Sequence, residues 1–294
     1  MLQRYIGKRA PWRRAANEIL WTLTNRRVLG VRSACLKAYA QRQWADTSHF
    51  TTLDQAAYQA SRRSDTVFVF GSGWSLNEIT PAGWAHIAQH NTFGFSMFVY
   101  QTWIRTDYHM LREMYVGREL DREFWYAYSQ EFAQHFDTNP HFDQTIFLAQ
   151  KGWRSLTVNR MLAHGMLSKP RRMVEFRVKE GYDDSLPTLN LNEGIVHGAG
   201  SLSDAVNLAV IGGWRHIVLT GVDLYDARYF WDDAYYNAES FGRDSTATHS
   251  TVHWGILDEM RRWHDFLQGH GVHLWVYNPK SLLTDVLPIY AGSI

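Results

Sequence analysis

Residues 215–250 read RHIVLTGVDLYDARYFWDDAYYNAESFGRDSTATHS. The run His216–Thr220, with Ile217, Val218 and Leu219 at its centre, reads as a strand covered on both faces, as in a parallel sheet flanked by helices. It stops at Gly221 and gives way to polar and aromatic residues. In an open α/β sheet, ligands bind outside the carboxyl ends of the strands, so the loop after Thr220 is where chemistry is expected. Tyr225 and Tyr229 follow within that loop, and His249 stands at the head of an amphipathic pattern. Phenols donate to anions and imidazoles accept protons, which suggests a site for a phosphorylated ligand with one proton to move.

Working outward, a second strand of the same kind is expected at Thr66–Phe70, ending in Gly71-Ser72-Gly73-Trp74-Ser75-Leu76. Glycines there let the backbone turn tightly and bring its N–H groups close to a phosphate or ribose, although a Gly-x-Gly turn alone is a weak signal. A third strand, Thr92–Ser96, places Ser96 beside that turn if the two strands are parallel neighbours. Gly198-Ala199-Gly200-Ser201 opens a helix over Leu202–Ile211 with Ser201 as N-cap, a second turn suited to an anion. Further helices are expected at Leu53–Arg63, from Pro81 to about His90, and at Glu119–Phe136, Ser155–Met166 and Ser250–Gln268. In the last of these, Trp254, Leu257, Met260, Trp263 and Phe266 share a face. Strands are also expected at Thr145–Ala149, Arg172–Phe176 and Val272–Tyr277, with a loop over Lys179–Leu191. Alternating strands and helices indicate an α/β fold with a largely parallel, doubly wound sheet.

Charge divides the 294 residues unevenly. Residues 1–43 carry ten Lys/Arg against Glu18 alone, and the remainder holds twenty basic and twenty-eight acidic residues, about −8. A basic arm on an acidic body suits an anionic surface, either lipid headgroups or nucleic acid, or a helical extension with a solvated face. Apolar residues from Ala15 to Gln43 recur at helical spacing, with Asn25 and Gly30 expected to divide them into two pieces. The organisation expected is a basic helical extension over 1–52 and a catalytic domain over 53–294. One cysteine, Cys35, permits no disulfide within the chain, and no run is apolar enough for a signal peptide or membrane span. A cytoplasmic protein, soluble or peripheral on the inner membrane face, is expected.

The segment 198–283 resembles the bacterial sialyltransferases of glycosyltransferase family 42, the Campylobacter-type enzymes. The resemblance rests on Ser201, Thr220-Gly221-Val222-Asp223-Leu224-Tyr225, Tyr229-Phe230-Trp231-Asp232, His249-Ser250 and Pro279-Lys280-Ser281-Leu282-Leu283, in the family's order. The amino-terminal turn is similar to the Gly-Asn-Gly-Pro-Ser-Leu of that family and, more distantly, of motility-accessory proteins. It departs from both by having Ser72 for Asn and Trp74 for Pro, and Ser96-Met97 stand where the sialyltransferases place Asn-Gln. The resemblance implies a Rossmann-like variant of the GT-A fold and inverting, metal-independent transfer from a CMP-activated sugar, such as sialic acid, Kdo or a related ulosonic acid. It implies His249 as general base, Tyr225 and Tyr229 on the leaving phosphate, and Gly71, Ser72, Gly73, Ser96, Gly200, Ser201 and Asp223 around the nucleotide. A lid over about 230–248 would close on the donor, no cofactor is needed, and the acceptor would be a saccharide or glycolipid. Nucleic acid is not an expected partner, and a homo-oligomer is compatible.

The same residues admit other readings. His249 and His253 are spaced to share a zinc ion, but no metalloprotease Glu lies between them. Asp232-Asp233 suggests a divalent cation without forming Asp-x-Asp, and Gly73-Trp74-Ser75 lacks the second glycine of a hydrolase elbow. A flagellin-type protein glycosyltransferase and a nucleotide-binding protein without transferase activity are the alternative functions.

Overall fold

A computed structural model describes residues 26–112, 122–180, 185–225, 228–231 and 250–293. The chain divides into two compact units, a helical one (residues 26–47, 122–134 and 152–168) and one that carries the sheet.

Among the described residues ten strands run in chain order: β1 (Phe50–Thr52), β2 (Thr66–Phe70), β3 (Asn91–Phe95), β4 (Tyr108–Leu111), β5 (Ile146–Gln150), β6 (Arg171–Phe176), β7 (Val178–Glu180), β8 (Ile195–His197), β9 (His216–Thr220) and β10 (His273–Val276). Eight form one sheet in the order β1-β6-β5-β4-β3-β2-β9-β10, and every pairing is parallel. β7 and β8 make a separate parallel pair. From β2 the chain winds outward through β3, β4, β5 and β6, then returns to lay β9 and β10 on the other side of β2. The strand order therefore reverses between β2 and β9, the topological switch point where such sheets open a crevice at their carboxyl ends. This is a doubly wound, Rossmann-like α/β fold.

Both faces of the sheet are covered, which explains the unbroken apolar runs of the central strands. Val67 and Val69 of β2 pack into one cluster with Phe93, Phe95, Ile217 and Leu219, while Phe68 and Phe70 pack into another with Phe98 and Val218. This alternation follows from the period of two in a strand. Phe70 stacks on Phe98 at 4.6 Å and 5°. A buried phenylalanine contributes about 1.5–3 kcal/mol, so β2 is an anchor for both layers.

The sheet unit holds α2 (Gln55–Ala60), α3 (Pro81–Ile87), α6 (Ser201–Gly212), α7 (Ser250–His253) and α8 (Ile256–Gln268). Asp54 caps α2 by accepting from Ala57 N at 2.8 Å, and Thr80 caps α3 with Pro81 at the first helical position. The N-cap of α6 is Gly200, not Ser201, which is already the first helical residue. The expected helix over Ser250–Gln268 is broken at Gly255, whose φ of 89° lies in the left-handed region that interrupts helical hydrogen bonding. As a result Trp254 lies on the surface, 65% exposed, and the buried stripe of α8 is Ile256, Met260, Trp263 and Leu267.

The helical unit contains α1 (Arg26–Trp44), the first part of α4 (Arg122–Thr138), and α5 (Leu156–Ala163). α1 runs through Gly30 without a break, because one glycine costs only about 1 kcal/mol against cooperative helix propagation. α1 packs on α5, with Cys35 and Ala38 buried and Arg42 Nη1 donating to Asn159 Oδ1 at 2.9 Å. Among the described residues no helix is long and apolar enough to cross a membrane.

Candidate active site

The carboxyl ends of β2 and β9 are joined without room for side chains at the turn. Gly71 N donates to Thr220 O at 2.9 Å and Gly73 N to Gly221 O at 2.8 Å. A methyl group on Gly71 would lie 2.4 Å from Gly221 O, and one on Gly73 would lie 2.5 Å from the Asp223 carboxylate. Both glycines are thus required by close approach of the two loops. Gly221 has φ 65°, which turns the chain sharply out of β9.

Asp223 links three segments. Its buried carboxylate accepts from Ser75 N at 2.9 Å, from Ser75 Oγ, and from Asn278 Nδ2 at 3.0 Å. Its carbonyl accepts from Leu282 N at 3.3 Å, and the neighbouring Val222 carbonyl accepts from Ser281 Oγ at 2.5 Å. The carboxylate braces the glycine turn, the β9 loop and the turn after β10 against one another. Hydrogen bonds to a charged group contribute about 1.5–3 kcal/mol each, so this arrangement is rigid.

Both tyrosines stand on that brace. Tyr225 is 38% exposed, and its oxygen accepts from Asn278 Nδ2 at 3.3 Å. Partial burial raises its pKa above the usual phenol value, the Asn278 hydrogen bond counters this, and the Asp223 charge adds to it. The phenol therefore stays protonated, a donor, throughout the neutral range. Tyr229 pairs with Gly73 in an antiparallel bridge, and the next residue, Phe230, donates its N–H to Ser72 O at 3.1 Å. The Tyr229 ring lies flat on Trp231 at 4.5 Å and 4°, with Tyr100 edge-on to Trp231 at 5.0 Å. Arg228 covers Trp74 at 4.5 Å. The structure thus brings Gly71, Ser72, Gly73, Asp223, Tyr225 and Tyr229 into one place, although up to 158 positions separate them in the chain.

Ser96 follows β3, the other neighbour of β2, with φ 51°. Among the described residues, Ser96 and Leu224 (φ 64°) are the two non-glycine residues with left-handed backbone. Both follow strands bordering the crevice, and such conformations collect at functional sites. Beneath Ser96 lies His109 of β4, fully buried against Phe136 and Phe142. Burial lowers its pKa to about 3, with the Ser96 backbone offsetting only part of the effect, so the ring is neutral.

The second glycine turn has a carboxylate of its own. Glu259 of α8, nearly buried, accepts from Ala199 N and Ser203 Oγ, both at 2.8 Å, and burial raises its pKa. An anion at the amino end of α6 is expected from the helix dipole, and here the chain supplies it. Gly200 and Ser201 are half-buried, and a methyl group on Gly200 would lie 3.3 Å from the Thr251 side chain of α7. His249 and most of the expected lid lie outside the described residues, as do Asp232 and Asp233.

Two groups on the same rim escaped the sequence reading. Asn278 sits in an Asn-Pro pair that reads as a plain turn. Arg112, just beyond β4, pairs with fully buried Asp204 of α6, whose Oδ1 also lies 3.2 Å from His197 Nδ1. No local spacing links residues 112, 197 and 204, so this cluster is visible only in the fold.

Two solved sialyltransferases are similar to this chain. A tyrosine-to-phenylalanine variant of sialyltransferase Cst-II, in complex with CMP, matches at 15% identity and a TM-score of 0.39, covering 78% of this chain and 86% of that one. The monofunctional alpha-2,3-sialyltransferase Cst-I from Campylobacter jejuni matches at 10% identity and a TM-score of 0.41, covering 78% and 81%. No family model and no curated protein matches the chain.

Proposed function

We propose that this protein is a glycosyltransferase that moves a sugar, such as sialic acid, Kdo or a related ulosonic acid, from a CMP-activated donor to a saccharide acceptor. The observation that carries this reading is the position of Tyr225. It ends the Thr220–Tyr225 motif at the sheet's switch point, half-exposed and protonated, on a loop locked to the Gly71–Gly73 turn through Asp223.

In this reading the nucleotide lies over the glycine turn and Ser96, and the phosphate meets Tyr225 and Tyr229. The acceptor hydroxyl loses its proton to His249 as its oxygen bonds to the anomeric carbon, and the bond from that carbon to the phosphate oxygen breaks. Negative charge develops on CMP, and hydrogen bonds from the two phenols stabilise it. Ser72 and Ser96 supply hydroxyls where the resembling family has amides, which makes the base and sugar contacts of this site its own.

Thermal unfolding with CMP, CDP, UDP, GDP and ADP, each with and without EDTA, tests the donor class. CMP at one hundred times its dissociation constant adds about 2.7 kcal/mol to stability. Selective stabilisation by CMP, insensitive to EDTA, is expected, followed by transfer from CMP-sialic acid or CMP-Kdo that His249→Ala abolishes. Stabilisation by a diphosphate alone, or wild-type transfer by His249→Ala, would refute the reading.

A further inference from the structure

We propose that Asn278 is a positioning residue that aims the hydroxyl hydrogen of Tyr225 at the donor's phosphate. The inference rests on the nucleotide-sugar reading above.

A carboxamide has an accepting end and a donating end, and its neighbours decide which way round it sits. Lys280 N, which can only donate, lies 3.0 Å from Asn278 Oδ1. Asp223 Oδ1 lies 3.0 Å from Nδ2, and an ionised carboxylate can only accept. The two neighbours demand the same orientation, so the amide cannot flip without losing both. Asn278 is also buried at 7% exposure, and its own carbonyl accepts from Ser281 N at 3.1 Å. Its backbone and side chain are both held.

The fixed Nδ2 therefore donates to the Tyr225 oxygen, 3.3 Å away. A phenol oxygen that accepts on one side keeps its hydrogen for a partner on another side. Among the described residues the Tyr225 oxygen has Asn278 alone as hydrogen-bond partner, and the phenol is 38% exposed. Its O–H bond is thus turned away from the buried amide and toward the open rim of the site. An acceptor at position 278 would do the reverse, drawing the hydrogen inward and presenting lone pairs to an anion. Donation from Asn278 also works against the rise that burial causes in the phenol's pKa, which strengthens the phenol as a donor.

The test is a double-mutant cycle on the full chain with Asn278→Leu and Tyr225→Phe, reading the CMP dissociation constant and the transfer rate. A donor hydrogen bond to an ionised phosphate supports a loss on the order of tenfold for either single variant. Asn278→Leu also withdraws a donor from the Asp223 carboxylate, a loss both backgrounds share, so the expected result is a loss about tenfold larger with Tyr225 present than in the Tyr225→Phe background, where the hydroxyl it acts through is gone. Equal losses in both backgrounds would overturn the proposal, since a merely structural asparagine costs the same with or without the hydroxyl. Ultraviolet difference titration, wild type against Tyr225→Phe, gives the Tyr225 pKa, which Asn278→Leu is expected to raise; an unmoved pKa would also overturn it. Should the leucine variant fail to fold, Asn278→Ser, polar but too short to reach the phenol, takes its place. A wild-type protein that binds no CMP would refute the nucleotide reading, and the phosphate named here with it. A wild type that binds CMP while the cycle is additive would refute the role of Asn278 alone.

Discussion

His109 should make this protein sensitive to acid at a position just under the candidate site. Its imidazole is fully buried, neither ring nitrogen has a partner of good hydrogen-bond geometry, and burial holds its pKa at about 3 against an ordinary 6.5. The folded value is the lower one, so between these limits the unfolded chain binds more protons and stability falls as pH falls. The contribution is complete above about pH 6.5 and declines continuously toward pH 3. From pH 7 to pH 5 the loss from this group alone is about 2 kcal/mol, taking 1.36 kcal/mol per pKa unit. Urea unfolding of the wild type and of His109→Leu at both pH values isolates the term, because His90, His216 and His264, whose pKa values are also lowered by burial, are common to both proteins. The wild type should lose about 2 kcal/mol more than the variant over this interval. Equal losses would mean that His109 is hydrated or protonated in the folded protein, and the account of the packing beneath Ser96 would fail.

Two further substitutions test the geometry of the crevice. Gly71→Ala places a methyl group 2.4 Å from a backbone oxygen that cannot move aside, so β2 and β9 must part at their carboxyl ends. A loss of about 1–3 kcal/mol in thermal or urea unfolding is expected, together with loss of CMP stabilisation. Arg112→Met leaves the Asp204 carboxylate buried with His197 as its remaining partner in the cluster, and should cost about 3–5 kcal/mol in urea unfolding. Replacing Asp204 by Leu in the same chain should restore much of that loss, because the pair's desolvation is then avoided as well.

The central strands were legible because their burial is two-sided. Thr66–Phe70 and His216–Thr220 were expected from apolar runs and are found with those bounds, since a strand covered on both faces carries its environment in every residue. β1, β4, β7 and β8 were not legible. They are three or four residues long, and Tyr-His-Met-Leu in an aromatic stretch has no periodicity to separate strand from core loop. The break at Gly255 escaped because an isolated glycine is tolerated in helices, as Gly30 shows in α1.

The sequence by itself determined the α/β class, the glycine turn, the loop beginning at Gly221 and the residue types suited to a phosphate. These are local properties, written in apolar runs and in side-chain chemistry over a few neighbouring positions. Only the tertiary structure decided that β9 lies against β2 rather than beside β8, which makes the two loops one crevice. It also decided that Asp223 braces Ser75 and Asn278, that Glu259 fills the turn before α6, and that Asn278 reaches Tyr225. These pairs lie between 53 and 148 positions apart. A buried polar group must find a partner wherever the packed strands bring one, and no spacing along the chain announces which partner that will be.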